Sequence, residues 1–121
     1  MSLHDQDEFD PAAVARLRRL GGERLVTGVV EIFLTEAPKR REAFHRAALE
    51  RDFHTLERLG HSLKSSAGNL GLLRLAALGR EVEACCGGGQ CDSATALVAD
   101  VGRLLDQACG YLARLLPPQA P

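Results

Sequence analysis

His61 and Lys64 are the side chains of this sequence whose types and spacing most directly indicate chemistry. An imidazole is a nucleophile near neutral pH, and an ammonium one helical turn away can hold the oxygens of a phosphoryl group on the ring. Lys64 is one of only two lysines beside thirteen arginines. The surrounding positions are unusually small or polar, including Gly60, Ser65 and Gly68. Such a bare surface lets the backbone of another protein approach the imidazole.

The apolar residues near His61 predict that its ring points into solvent. They recur every three to four positions, which is typical of one face of a helix. His61 lies two positions from both Leu59 and Leu63, about 200° around a helix that turns 100° per residue. We therefore expect the outer side of this helix to face a partner. The alternative is a solvated helix face without function. The residues expected to contact a partner are His54, Arg58, Gly60, Ser65 and Gly68.

Amphipathic segments surround this helix and predict an all-α fold. Leucine and alanine, both strong helix formers, are abundant, while β-branched and aromatic residues are scarce. Asp10 and Pro11 predict the start of a short helix that Gly21 and Gly22 end. Pro38 is expected to kink or divide the long helix that follows. The predicted helices cover about residues 11–20, 23–50, 53–70, 72–86 and 94–116. They predict an antiparallel four-helix bundle with a short extra N-terminal helix.

The bundle is expected to span about residues 23–116 of a single domain, residues 1–121, with flexible ends at 1–9 and 117–121. Its core is predicted from the residues that share one stripe of each helix. Those residues are Val26, Val30, Phe33, Ala37, Phe44 and Ala48, then Phe53, Leu56, Leu59, Leu63, Ala67 and Leu70, then Leu72, Leu75, Leu78, Val82 and Cys85, and finally Leu97, Val101, Leu104, Leu105, Ala108, Leu112 and Leu115.

The composition argues against several classes of protein. The chain is 45% apolar and 26% charged, which is typical of a soluble globular protein. A formal charge of −1 argues against a dedicated nucleic-acid binder. No stretch reaches the roughly 20 apolar residues that cross a bilayer, and the acidic N-terminus is unlike a signal peptide. We therefore expect a cytoplasmic protein, or the cytoplasmic part of a larger one. Gly87-Gly88-Gly89 lacks the residues of a phosphate loop, so no ATP site is expected.

The segment from Leu59 to Glu83 resembles the signature of histidine-containing phosphotransfer (HPt) domains. It reads LGHSLKSSAGNLGLLRLAALGREVE, and the family pattern is H-x-L-K-G-S/A-A/S-x-x-L/V-G followed by an amphipathic helix. Ser65 departs from the usual glycine, although serine is also small. The upstream VVEIFLTEAP resembles the preceding helix of the family, so the likeness covers about residues 23–116. The matching positions are His61, Leu63, Lys64, Ser66, Leu70 and Gly71.

The resemblance implies a phosphorelay intermediate and not an enzyme with its own ATP-binding or kinase site. Neutral His61 would accept a phosphoryl group through Nε2 from an aspartate of one receiver domain and pass it to an aspartate of another. Lys64 would stabilise charge on the phosphoryl oxygens. Glu83 matches a position of the next helix that, in some members, accepts a hydrogen bond from Nδ1. The alternative for Glu83 is a place on the solvent flank of that helix.

The resemblance also implies the partners, namely response-regulator receiver domains or a hybrid sensor kinase, with no nucleic acid and no membrane. The chain is expected to be a monomer without a cofactor, since the divalent cation belongs to the receiver. Two other readings stay open. The first is a bundle that docks receivers or another partner without being phosphorylated, and the second is a metal-binding bundle.

The four cysteines predict no metal site, because their spacing fits no standard zinc signature. Disulfides are rare in a reducing cytoplasm. Cys85 and Cys109 fall at core or near-core positions, so we expect them to be small buried apolar side chains.

Overall fold

Four helices make up the computed structural model, which describes residues 8–118. They are α1 (Pro11–Leu49), α2 (Phe53–Asn69), α3 (Leu73–Gly87) and α4 (Ala94–Ala113). The connections at residues 50–52, 70–72 and 88–93 are short, so consecutive helices run antiparallel. The helices α1 and α3 each pack against both α2 and α4, which closes a four-helix bundle. The predicted fold class is therefore confirmed. Within residues 8–118, no helix combines the length and apolarity needed to cross a bilayer.

The first helix contains one break. Gly21 and Gly22 have non-helical dihedrals, and Gly22 has a positive φ of 71° that favours glycine. This break separates the short N-terminal segment from the bundle segment, as the sequence predicts. The predicted division of the helix at Pro38 is wrong, because the backbone dihedrals stay helical there. A kink at this position stays a prediction. Pro38 lies on an exposed face, so the carbonyl that loses its helical partner can bond to water.

The core lies between the predicted stripes of the four helices. Three small corrections concern neighbouring positions: Ala47 is buried in place of Ala48, Cys86 in place of Cys85, and Leu59 is only half-buried. Spacing of three to four residues leaves two adjacent candidates at each turn, and inter-helix packing decides between them. Phe53 and Leu115 are also half-buried. The largest fully buried side chains are Phe44, Leu56, Leu63, Leu70, Leu72, Leu105, Leu112, Val26, Val30, Val82 and Val101.

The segment before α1 packs on the bundle. Phe9 stacks on Tyr111 with ring centroids 4.1 Å apart, and Glu8 forms an ion pair with Arg74. These contacts place the two residues against the bundle, and periodicity does not reveal the aromatic partner of Phe9. Flexibility at the two positions stays a prediction. The flexible ends predicted at residues 1–7 and 119–121 lie outside the described residues.

The cysteines differ from the prediction. Cys85 forms a disulfide with Cys91, because the connection after α3 returns Cys91 to a Cα separation of 5.4 Å, within disulfide range. Cys86 is buried and Cys109 half-buried, and both are free thiols. Burial raises the pKa of each of these two thiols, which keeps them protonated. Within residues 8–118, no group of three or more His, Cys, Asp and Glu side chains is placed to hold a metal ion.

Candidate functional site

The helix α2 presents His61 to solvent because its opposite face is anchored in the core. Asp52 caps its first turn by accepting hydrogen bonds from the Thr55 backbone N–H (3.1 Å) and the Thr55 hydroxyl (2.7 Å). These bonds hold the pKa of Asp52 below its ordinary value, so the cap stays ionised. Leu63 is fully buried, whereas the side chain of His61 is 62% exposed. The predicted orientation of His61 is confirmed.

Glu83 of α3 fixes the tautomer of the histidine. Its Oε2 lies 2.8 Å from His61 Nδ1. An ionised carboxylate can only accept a hydrogen bond, so Nδ1 carries the proton and donates it. In the neutral ring Nε2 therefore keeps its lone pair. This geometry is the one that a nucleophilic Nε2 requires.

The second oxygen of Glu83 is held by Lys64. Lys64 Nζ donates to Glu83 Oε1 at 3.0 Å, so one carboxylate joins the lysine and the histidine. The hydrogen bond from Lys64, followed by that from His61, holds the pKa of Glu83 below its ordinary value. An ammonium has three donors, so Lys64 retains two N–H groups for an incoming anion.

The close approach of α2 and α3 places Glu83 within reach of His61. Gly60 is buried, and a Cβ there would lie 2.7 Å from the carbonyl oxygen of Gly79 and 2.8 Å from the backbone nitrogen of Glu83. A Cβ on Gly79 would likewise lie 2.8 Å from the backbone nitrogen of Lys64. The predicted partner-facing role of Gly60 is therefore wrong, since this glycine packs against α3. Its position one turn before Leu63 and one turn after the buried Leu56 is the signal that would have shown this.

The other predicted partner-facing residues lie on the outer side of α2. His54, Arg58, Ser65 and Gly68 are all exposed. A Cβ on Gly68 would meet nothing within 4 Å, so the surface there is open, as expected from the sequence. Contact of these four residues with a partner stays a prediction.

One feature of the site was missed from the sequence. Arg40 of α1 donates to the Ser66 hydroxyl at 2.8 Å and to the Ser62 hydroxyl at 3.3 Å. The arginine is 22 residues before Ser62, and no periodicity within one helix links such distant positions. Only the packing of α1 beside α2 brings them together.

The shared carboxylate leads to a prediction about pH. In a carbon-13 NMR titration, the pKa of Glu83 should fall below the ordinary glutamate value in the wild type. Lys64→Ala should raise it more than His61→Gln does, because the lysine bond lowers it most. The contribution of the ionised Glu83 carboxylate to the free energy of unfolding is present above the ordinary glutamate pKa. It is lost as the pH falls through the lowered pKa of Glu83. An unchanged Glu83 titration curve in Lys64→Ala would contradict the pairing.

Comparisons with known proteins agree with this fold. The chain has a TM-score of 0.82 and 21% identity to the crystal structure of histidine-containing phosphotransfer protein B (HptB) from Pseudomonas aeruginosa PAO1, over 88% of this chain and 92% of that one. It has a TM-score of 0.72 and 16% identity to the histidine-containing phosphotransfer domain of ArcB from Escherichia coli, over 93% of this chain and 99% of that one. These likenesses show the fold. No curated protein matches the chain. The family model described as the Hpt domain matches residues 28–114, most of the chain, and the chain therefore belongs to the Hpt domain family.

Proposed function

We propose that this chain is a phosphorelay intermediate in which His61 accepts a phosphoryl group from a receiver aspartate and passes it to the aspartate of another receiver. The observation that carries the proposal is the hydrogen bond from His61 Nδ1 to Glu83. It leaves the lone pair on Nε2 of an exposed ring. Membership of the Hpt domain family supports the same assignment.

The transfer needs no separate proton carrier in this chain. The Nε2 lone pair attacks phosphorus, an N–P bond forms, and the P–O bond to the receiver aspartate breaks with its electron pair on the carboxylate. Because Nδ1 keeps its proton, the phosphorylated ring is cationic. The Glu83 carboxylate, 2.8 Å away, stabilises that positive charge. Transfer to the next receiver reverses these bond changes, so the chain acts as a phosphocarrier and not as a kinase.

Lys64 has the supporting role of a cation for the phosphoryl oxygens. It lies one turn from His61 and is already held within 3.0 Å of Glu83. Fixing the ammonium before the reaction lowers the cost of organising it in the transition state. The partners that fit this chemistry are response-regulator receiver domains or a hybrid sensor kinase in the cytoplasm, with the divalent cation held by the receiver.

Lys64→Ala should slow phosphoryl transfer without abolishing it. The lost contact should cost about 1–3 kcal/mol of transition-state stabilisation, or roughly ten- to a hundredfold in rate. The measurement is the rate at which label moves from a phosphorylated receiver to the chain. Lys39→Ala is the matched control, because Lys39 is the other lysine and is exposed beside Glu36. Equal rates for the two variants would remove Lys64 from the site.

Incubation with a panel of phosphorylated receiver domains tests the proposal as a whole. We expect label to move to the wild-type chain from at least one receiver. If the chain binds receivers but takes label from none, the docking module without phosphorylation becomes the better assignment.

A further inference from the structure

Arg40 is set apart from every other arginine of the chain. All thirteen arginines lie among the described residues, and Arg40 alone is half-buried while the others are exposed. Its side chain lies in a groove between α1 and α2 beside apolar residues that include Ile32 and Phe33. Covering a guanidinium with protein costs solvation free energy unless other groups replace the lost water. The position therefore needs an explanation.

Packing between helices explains only part of this arrangement. Two nitrogens of Arg40 donate to the Ser62 and Ser66 hydroxyls, but the buried Nε has no hydrogen-bond partner. No carboxylate among residues 8–118 lies within the 4.0 Å ion-pair distance of Arg40. Glu36, one turn earlier, lies 3.7 Å from Lys39. Arg40 therefore has no ion-pair partner within that distance among residues 8–118, and Glu36 is the carboxylate that lines the same groove.

Arg40 contacts Ser62 and Ser66 on the side of α2 that faces α1, and Lys64 lies on the other side of His61. At 100° per residue, Ser62 and Ser66 are about 100° and 140° from His61 in one sense around α2, and Lys64 is about 60° in the other. Each serine oxygen accepts a hydrogen bond from Arg40, so each hydroxyl hydrogen stays free to be donated outward. The α1 side of the histidine therefore carries two oriented donors and a positive charge.

We propose that Arg40 is a positioning residue of the phosphotransfer site that draws the phosphorylated, acidic pocket of a receiver onto the α1 flank of His61. It acts through its charge and through the Ser62 and Ser66 hydroxyls that it orients. This inference rests on the proposed function. It assigns Arg40 to association with the receiver, whereas Lys64 acts on the chemical step. Charges at the edge of an interface act mainly on association and give it a salt dependence.

The test is single-turnover transfer of label from a phosphorylated receiver, measured over a range of concentrations of this chain. Arg40→Ala should raise the half-saturating concentration roughly tenfold at low salt, with the limiting rate changed by less than about threefold. Because salt screens the attraction between Arg40 and the acidic receiver across the solvent that separates them before docking, the difference should shrink to less than about twofold at 0.5 M salt. Arg40→Lys keeps the charge and should recover most of the loss, and Arg40→Gln replaces Arg40→Ala if the alanine variant does not fold.

Arg41→Ala is the matched control. Arg41 is the next residue and has the same charge, but it contacts the Gly102 carbonyl and Asp106 on α4. The half-saturating concentration of Arg41→Ala should stay within about twofold of the wild-type value. The inference is overturned if both alanine variants behave alike, or if Arg40→Ala changes the melting temperature and leaves the half-saturating concentration and its salt dependence unchanged. Both outcomes leave the proposed function unaffected. A wild-type chain that takes no label from any receiver overturns the proposed function and this inference together.

Discussion

His61→Gln should abolish phosphoryl transfer to this chain and leave the fold intact. Glutamine has no nucleophilic ring nitrogen, so the N–P bond cannot form. The side chain of His61 is mostly exposed and its contacts are with Glu83, so we expect the free energy of unfolding to change by less than about 0.5 kcal/mol. Labelling by phosphorylated receivers and thermal unfolding of the same preparation measure the two effects separately.

His45→Gln is the matched control, since His45 is an exposed histidine on α1 and is not among the residues expected to contact a partner. It should be labelled at close to the wild-type rate. The wild-type label should also be lost in acid and retained in base, as expected for a phosphorus–nitrogen bond. Label that persists in His61→Gln, or that survives acid in the wild type, would move the site to a neighbouring serine and contradict the phosphorelay assignment.

Periodicity within a helix was sufficient to predict the orientation of His61. Leu63 had to be buried, and a residue two positions away had to face outward, whatever α2 packed against. The cap at Asp10 was equally local, because it depends on the backbone of the next turn. These predictions succeeded because they do not depend on how one helix packs against another.

Contacts between helices were beyond the reach of periodicity. The hydrogen bond between His61 and Glu83 was expected only through the family resemblance, and spacing alone left a solvent flank as the alternative. The contacts of Arg40 with Ser62 and Ser66 were missed because they depend on how far α1 is displaced along α2. The Cys85–Cys91 disulfide was missed for a different reason: an expectation about the cellular compartment outweighed the nearness of the two cysteines in the sequence.

Gly60 links the sequence of one helix to a contact between helices, because its lack of a side chain sets the distance between α2 and α3. From the sequence, Gly60 was expected on the partner-facing surface, where a small residue gives access. In the structure it lets the α2 and α3 backbones touch, which brings Glu83 to His61. Gly60 was therefore assigned to the wrong face of α2, whereas Gly68 on the same helix is open as expected.

Gly60→Val should destabilise the domain by at least about 3 kcal/mol, a large part of the 5–15 kcal/mol typical of a domain. The new Cβ would meet the Gly79 carbonyl oxygen at 2.7 Å and the Glu83 nitrogen at 2.8 Å, and backbone atoms cannot rotate away as a flexible side chain can. Separation of α2 from α3 should also weaken the bond between Glu83 and His61, so the folded fraction should take label more slowly.

Gly68→Val makes the same change eight residues later on α2, where a Cβ has nothing within 4 Å. Valine is no worse than glycine in a helix, so the free energy of unfolding should stay within about 0.5 kcal/mol of wild type. Urea unfolding of both variants measures the difference. If Gly60→Val were as stable as Gly68→Val, the two helices would not be in backbone contact at Gly60, and the placement of Glu83 beside His61 would need another cause. A loss of stability confined to Gly60→Val, with slower labelling of its folded fraction, would link this contact to the chemistry of the histidine.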